Sequence, residues 1–128
     1  MRILVFGTFD HLHKGHCFLL SKAQEKGDLF VVVACDKTVK RLKGFWSDQD
    51  QKERMLAIER VYPAAVIQSG DSQDYLAPVR MIQPDLIVLG YDQQLPPGIT
   101  EEDFPCPTFR VEAHEPQKYK SSFLRGGA

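Results

Sequence analysis

Apolar runs divide the chain. Ile3-Leu4-Val5-Phe6 comes first, Leu29-Phe30-Val31-Val32-Val33-Ala34-Cys35 second, Ala64-Ala65-Val66-Ile67-Gln68 third, and Leu86-Ile87-Val88-Leu89, closed by Gly90, fourth. Continuous apolar runs of this length suit strands covered on both faces, as in a parallel sheet. Thr108-Phe109-Arg110-Val111-Glu112 alternates instead, which predicts a fifth strand at an edge. Between these runs the spacing turns helical. Cys17-Phe18-Leu19-Leu20-Ser21-Lys22-Ala23 predicts a first helix that ends near Gly27, a residue suited to a C-cap. Ser47-Asp48-Gln49-Asp50 predicts a helix start, with Met55, Leu56, Ile58 and Val61 as the buried stripe and Pro63 as the stop. Tyr75 to Ile82 predicts a short helix with Pro78 in its first turn. Strand, helix and strand within about 35 residues make a βαβ unit.

Composition narrows the class. A chain of 128 residues with 43% hydrophobic and 26% charged residues is expected to be one globular domain, residues 1–128. A net charge of −1 argues against a general nucleic-acid binder. Cys17, Cys35 and Cys106 form no CxxC pair, so reduced thiols and a cytoplasmic location are expected. No apolar run approaches membrane-spanning length, and Met1 leads straight into the first strand, so neither membrane nor signal peptide is expected.

The chemistry concentrates in Gly7-Thr8-Phe9-Asp10-His11-Leu12-His13-Lys14-Gly15-His16. Here a strand hands over to a helix N-terminus, whose free N–H groups and partial positive charge favour phosphate. Gly7 and Gly15 let the backbone approach a ligand closely. His13 and His16, three apart, fall on one face and can reach the same anion. A zinc site built from His11, His13 and His16 with Asp10 and Cys17 is the rival reading, although His-x-His-x-x-His lacks the usual separated ligand pairs. His11 by itself reads as a surface histidine.

Gly7-x-Phe9-Asp10-x-x-His13-x-Gly15-His16 resembles the first signature of the nucleotidyltransferase superfamily that carries the HxGH motif. The resemblance implies transfer of a nucleoside monophosphate from an NTP to a phosphate-bearing acceptor, with pyrophosphate released. It implies His13 and His16 as catalytic donors, with Gly7, Thr8, Phe9, Asp10 and Gly15 at the nucleotide. It also implies a five-stranded parallel sheet of Rossmann-like topology, order 3-2-1-4-5, with helices on both faces. Mg²⁺ is expected on the phosphates rather than on side chains, and a homodimer is expected, for which the loop aromatics Phe45 and Trp46 could supply an apolar contact; the same pair could equally lie over the active site as a lid.

Downstream segments extend the likeness. Lys37 to Lys43 holds four cations in seven positions, at the carboxyl end of the second strand. Its plain reading is a solvated loop or short helix face. Its place among the ligand-binding ends of an open α/β sheet suggests a phosphate-binding loop instead. The family places phosphate-binding lysines here, so Lys43 is the first candidate and Lys40 the second. Glu53-Arg54 resembles the family helix that carries an arginine over the triphosphate. Gly90-Tyr91-Asp92-Gln93 would lie opposite Gly7 across the switch point, beside base or ribose. Leu95 to Pro107, with four prolines and the acidic Glu101-Glu102-Asp103, reads first as a surface connection, with a border of the acceptor pocket as the alternative. Near the end, Ser121 or Ser122 could cap a phosphate-binding helix. Tyr119-Lys120-Ser121-Ser122 and Gly90-Tyr91-Asp92-Gln93 resemble archaeal-type FAD synthetases more than glycerol-3-phosphate cytidylyltransferases, whose Arg-Thr-x-Gly-x-Ser-Thr motif is missing. The expected reaction is therefore ATP plus FMN to FAD. CTP with glycerol-3-phosphate, or a non-catalytic nucleotide-binding module, are the alternatives.

Overall fold

Five strands build one all-parallel sheet in the order β3-β2-β1-β4-β5, as expected. The computed structural model describes residues 1–112, so Ser121, Ser122 and the ending that holds them lie outside the described residues. Strand β1 (Arg2–Gly7) is central, with β2 (Asp28–Val33) and β4 (Leu86–Leu89) beside it. The edges are β3 (Val66–Ser69) and β5 (Thr108–Arg110).

Because successive strand side chains point to opposite faces, the unbroken apolar run of β1 serves two cores at once. Ile3 and Val5 join α1 (Lys14–Gln24) and α3 (Gln51–Val61) on one face, through Leu20, Ala23 and Ile58. Leu4 joins Val79 and Ile82 of α4 (Ala77–Ile82) on the other. All three strand residues are fully buried, which stabilises the fold by about 1.5–3 kcal/mol each.

Several local expectations shift. Helix α1 ends at Gln24 with Glu25 as a right-handed C-cap, so Gly27 is not the cap. Gly27 matters for space: a Cβ there would sit 2.5 Å from the Met1 carbonyl oxygen. The cationic segment is a true helix, α2 (Asp36–Lys43), closed by Gly44 at φ 84°, a left-handed cap that glycine adopts without strain. Helix α3 is capped by Asp50, whose side chain accepts from the Glu53 N–H while Glu53 returns the bond. Its buried line is Arg54, Ile58 and the C-cap Tyr62, spaced by four; Leu56 and Val61, expected in the stripe, are exposed. The β4–β5 connection contains one short 3₁₀ turn, Glu101–Asp103, and Phe104 beyond it is buried against the α4 face.

Candidate active site

Helix α1 begins with an unusual cap. His13 occupies the N-cap position in extended conformation, and its Nδ1 accepts from the N–H of Gly15 (3.1 Å) and of His16 (3.4 Å). His16 reciprocates, its Nδ1 accepting from the His13 N–H at 3.3 Å. This is a capping box made from two histidines in place of Ser and Glu. Its chemical consequence follows from the imidazole inventory. Each Nδ1 is an acceptor, so each neutral ring carries its proton on Nε2. The rings stack, centroids 3.7 Å apart and 20° from parallel. His13 Nε2 is buried and has no hydrogen-bond partner, an exception among buried polar atoms that a ligand acceptor would remove.

The electrostatics hold both rings neutral. Burial lowers the His16 pKa to about 3, helped by repulsion from His13 whenever that ring is protonated and by the Lys43 charge, and opposed by Asp10. Burial also lowers His13. At neutral pH the pair presents N–H donors rather than cations or bases.

The turn that leads into this cap is strained. Phe9 and His11 sit at φ 57° and 52°, conformations that cost non-glycine residues and cluster at functional sites. Phe9 is buried, its ring edge-on to His16 at 5.4 Å. A Cβ on Gly7 would meet that ring at 3.2 Å, so glycine here makes room for Phe9.

The turn is held from below by residues expected to touch nucleotide. Arg54 is fully buried. Its guanidinium donates to the Thr8 carbonyl (2.7 Å), the Gln49 carbonyl (3.1 Å) and Asp36 Oδ1 (2.7 Å). It therefore ties the turn to α2 and is not part of the cavity wall. Asp10 likewise accepts from the Asp48 and Gln49 N–H groups, both at 3.1 Å, fixing the loop before α3. Asp10, His11 and Asp48 are the cluster of potential metal ligands among the described residues, and none of the three lines the cavity. His11 is exposed and pairs with Asp48 at 3.1 Å.

Above the turn lies a cavity of about 810 Å³. Gly7, Thr8, Phe9, His13, Gly15, His16, Lys43, Gly90, Tyr91, Asp92 and Gln93 all line it, so the structure gathers these expected residues in one place. Lys43 is half-buried at the last position of α2, and burial lowers its pKa while Asp10 opposes the shift. Lys40 is not at the wall; it is exposed and donates to the Gly44 carbonyl at 2.9 Å. Tyr91 is raised by desolvation first and by Asp92 next, so its phenol stays protonated at neutral pH. The Gln93 side chain is used internally: Nε2 donates to the Phe6 carbonyl (2.7 Å) and Oε1 accepts from the Gly90 N–H (2.9 Å).

One contact at this turn has no counterpart among the sequence expectations. Arg110, on edge strand β5, donates from Nη1 to the carbonyls of Gly90 (2.7 Å) and Gln93 (2.9 Å), clamping the turn after β4. A charged residue near the carboxyl end of a strand was the available signal. The Leu95–Pro107 connection, read first as plain surface and alternatively as a border of the acceptor pocket, supplies Leu95, Ile99 and Phe104 to the cavity wall.

Comparison with known proteins follows the same lines. The family model described as cytidylyltransferase-like matches residues 4–104. The chain is 37% identical over 102 residues to the FAD synthase of Methanosphaerula palustris, covering 79% of this chain and 65% of that protein. It is 36% identical over 127 residues to the FAD synthase of Aciduliprofundum boonei, covering 98% and 85%. Among solved structures it resembles the lipopolysaccharide core biosynthesis protein from Thermoplasma volcanium, with a TM-score of 0.80, 28% identity, and coverage of 90% of this chain and 98% of that one.

Proposed function

The chain belongs to the cytidylyltransferase-like family of nucleotidyltransferases, and from that premise we propose that it transfers AMP from ATP to FMN, forming FAD and releasing pyrophosphate. The observation that carries the chemistry is the pair of neutral, stacked imidazoles with both Nε2–H groups left for a ligand. The FAD synthase relatives support the choice of substrates.

In this mechanism an FMN phosphate oxygen attacks the α-phosphorus of ATP in line with the departing pyrophosphate. The acceptor is already an anion, so no side-chain nucleophile or general base is required. Positioning and charge stabilisation do the catalysis. His13 and His16 donate to the α-phosphate oxygens, and the α1 N-terminus adds its partial positive charge. Lys43 follows the leaving group. Gly7, Thr8, Gly15 and the Gly90–Asp92 turn enclose the nucleotide, while Phe9, Asp10, Arg54 and Gln93 hold those parts in place. Mg²⁺ supplies charge neutralisation on the phosphates. The ion would be carried mainly by phosphate oxygens and water, as is usual for Mg²⁺.

We further propose that residues 1–128 act as one domain, in the cytoplasm and as a homodimer. Three free thiols suit a reducing compartment, no described helix is long and apolar enough to cross a membrane, and Phe45 and Trp46 are exposed. Light scattering at tens of micromolar that finds only monomer would remove the dimer.

The reaction is tested with two tubes read by chromatography, one holding Mg²⁺, ATP and FMN, the other Mg²⁺, CTP and glycerol-3-phosphate. FAD in the first supports the reading; CDP-glycerol in the second alone overturns it.

A further inference from the structure

The cavity runs over the top of the sheet from one face to the other, and its two ends differ. On the α1 side the wall is Phe18, Leu19 and Val111 beside the polar Gly90–Gln93 turn. On the α4 side it is Phe6, Leu76, Val79, Leu95, Ile99 and Phe104. These six belong to or pack against the buried cluster of that face, with the Phe6 and Phe104 rings 5.8 Å apart. The β4–β5 crossover has no α-helix, only the 3₁₀ turn Glu101–Asp103. Leu95 and Ile99 pack against the same buried cluster as Val79 and Ile82 of α4 and line the cavity beside Leu76 and Val79, making an apolar trough. A volume of about 810 Å³ is near the upper end of the roughly 300–1,000 Å³ typical for one ligand, which leaves room for two ring systems.

Two apolar compartments thus flank a central pair of phosphate-facing donors. A dinucleotide product has that same order: ring, phosphates, ring. The compartments are not interchangeable. A purine presents hydrogen-bonding edges, which the backbone of the Gly90–Gln93 turn can meet. A flavin presents a dimethylbenzene end that gains by leaving water and asks for no polar partner.

We infer that the trough between Leu76, the N-cap of α4, with Val79 on one side and Leu95, Ile99 and Phe104 of the β4–β5 connection on the other is the acceptor-ring subsite, built for the apolar dimethylbenzene end of a planar tricyclic ring. The assignment rests on the adenylyl-transfer reading for the identity of the acceptor. It makes the β4–β5 connection, in place of a crossover helix, the element that selects the acceptor.

Two variants on opposite banks, Leu76→Gln and Ile99→Gln, are titrated with FMN by flavin fluorescence and with ATP by calorimetry. Each loses about tenfold or more in FMN affinity, as expected for wetting a buried aliphatic contact, while ATP affinity stays within about twofold, which also reports an intact fold. The conservative Ile99→Leu restores FMN binding. Unchanged FMN affinity, or an equal loss for ATP, overturns the assignment. A wild-type measurement needs no variant to fold: riboflavin, which lacks the phosphate, shifts the methyl resonances of Leu76, Val79, Leu95 and Ile99 by its ring current, and ATP does not. If ATP moves those methyls and riboflavin leaves them, the subsite is refuted even when FAD is formed. If riboflavin moves them but no FAD appears, the subsite stands and the adenylyl-transfer reading falls.

Discussion

Two turns meet at the cavity, one after β1 and one after β4, and they divide their labour in opposite ways. In the first, the functional side chains also build the backbone they stand on. His13 and His16 cap α1 with Nδ1 and keep Nε2 for a ligand. In the second, the side chain that looked most suited to ligand binding holds the scaffold. Gln93 satisfies Phe6 and Gly90, and Arg110 clamps the same turn from β5. The difference lies in the residues themselves. An imidazole has two nitrogens on opposite sides of a rigid ring, so one can serve the fold while the other serves the substrate. A carboxamide turned toward two backbone groups has both ends occupied.

The first turn is broken hardest by removing its donors and leaving its cap. Replacing His13 and His16 together by Asn preserves an N-cap acceptor and is expected to lower kcat by about 10³-fold or more, since one transition-state donor is worth about 10²–10³. The melting temperature should move little, whereas the double Ala variant also loses about 1 kcal/mol of cap stability. Near-wild-type turnover in either variant would contradict the mechanism.

Arg54→Met tests what supports that turn. It leaves Asp36 and the Thr8 carbonyl without their buried partner, and about 3 kcal/mol of stability should go in urea unfolding, the lower part of the usual range because Asp36 is partly exposed. If Arg54 acted mainly on the triphosphate, the ATP KM would rise with stability unchanged.

Acid sharpens the comparison, because the imidazoles whose pKa burial lowers stand in the first turn, while the Tyr91 phenol of the second stays protonated in acid. The His16 pKa in the folded chain, about 3, lies below its ordinary 6.5. The unfolded chain therefore binds more protons between those values, and stability falls as pH drops through that window. From pH 7 to pH 5 the loss attributable to His16 is about 2 kcal/mol. It should vanish in His16→Asn when the two unfolding curves are compared.

The smallest effect is expected in the second turn. Gln93→Ala removes two hydrogen bonds but leaves the Arg110 clamp, so the ATP KM should rise about tenfold, with kcat and the FMN KM changed far less. A fall in kcat as large as that of the histidine variants would mean that Gln93 touches the reacting phosphates.

How much of this was legible beforehand follows the range of the interactions. The strands were readable because a run buried on both faces must be apolar at every position, and β1, β2 and β4 are such runs to within a few residues, whereas edge strand β3 carries Gln68 and Ser69 and leaves Val66 exposed. The histidine turn was readable because a helix cap is local: His13, Gly15 and His16 meet through bonds spanning two or three positions, whatever surrounds them. Arg54 and Lys40, expected at the nucleotide, do not line the cavity, since a helix has several faces and the neighbours choose which one is buried. Packing turned Arg54 under the turn with Ile58 and Tyr62, and left Lys40 in water. Leu95 to Pro107 has no periodicity to read, and it became a cavity wall only because it packs against the same buried cluster as α4. Local bonding and two-sided burial were set by the chain itself. Which polar side chains reach the cavity was decided by tertiary packing, because a side chain's direction depends on partners 40 to 90 residues away, as Arg54 with Thr8 and Gln93 with Phe6 demonstrate.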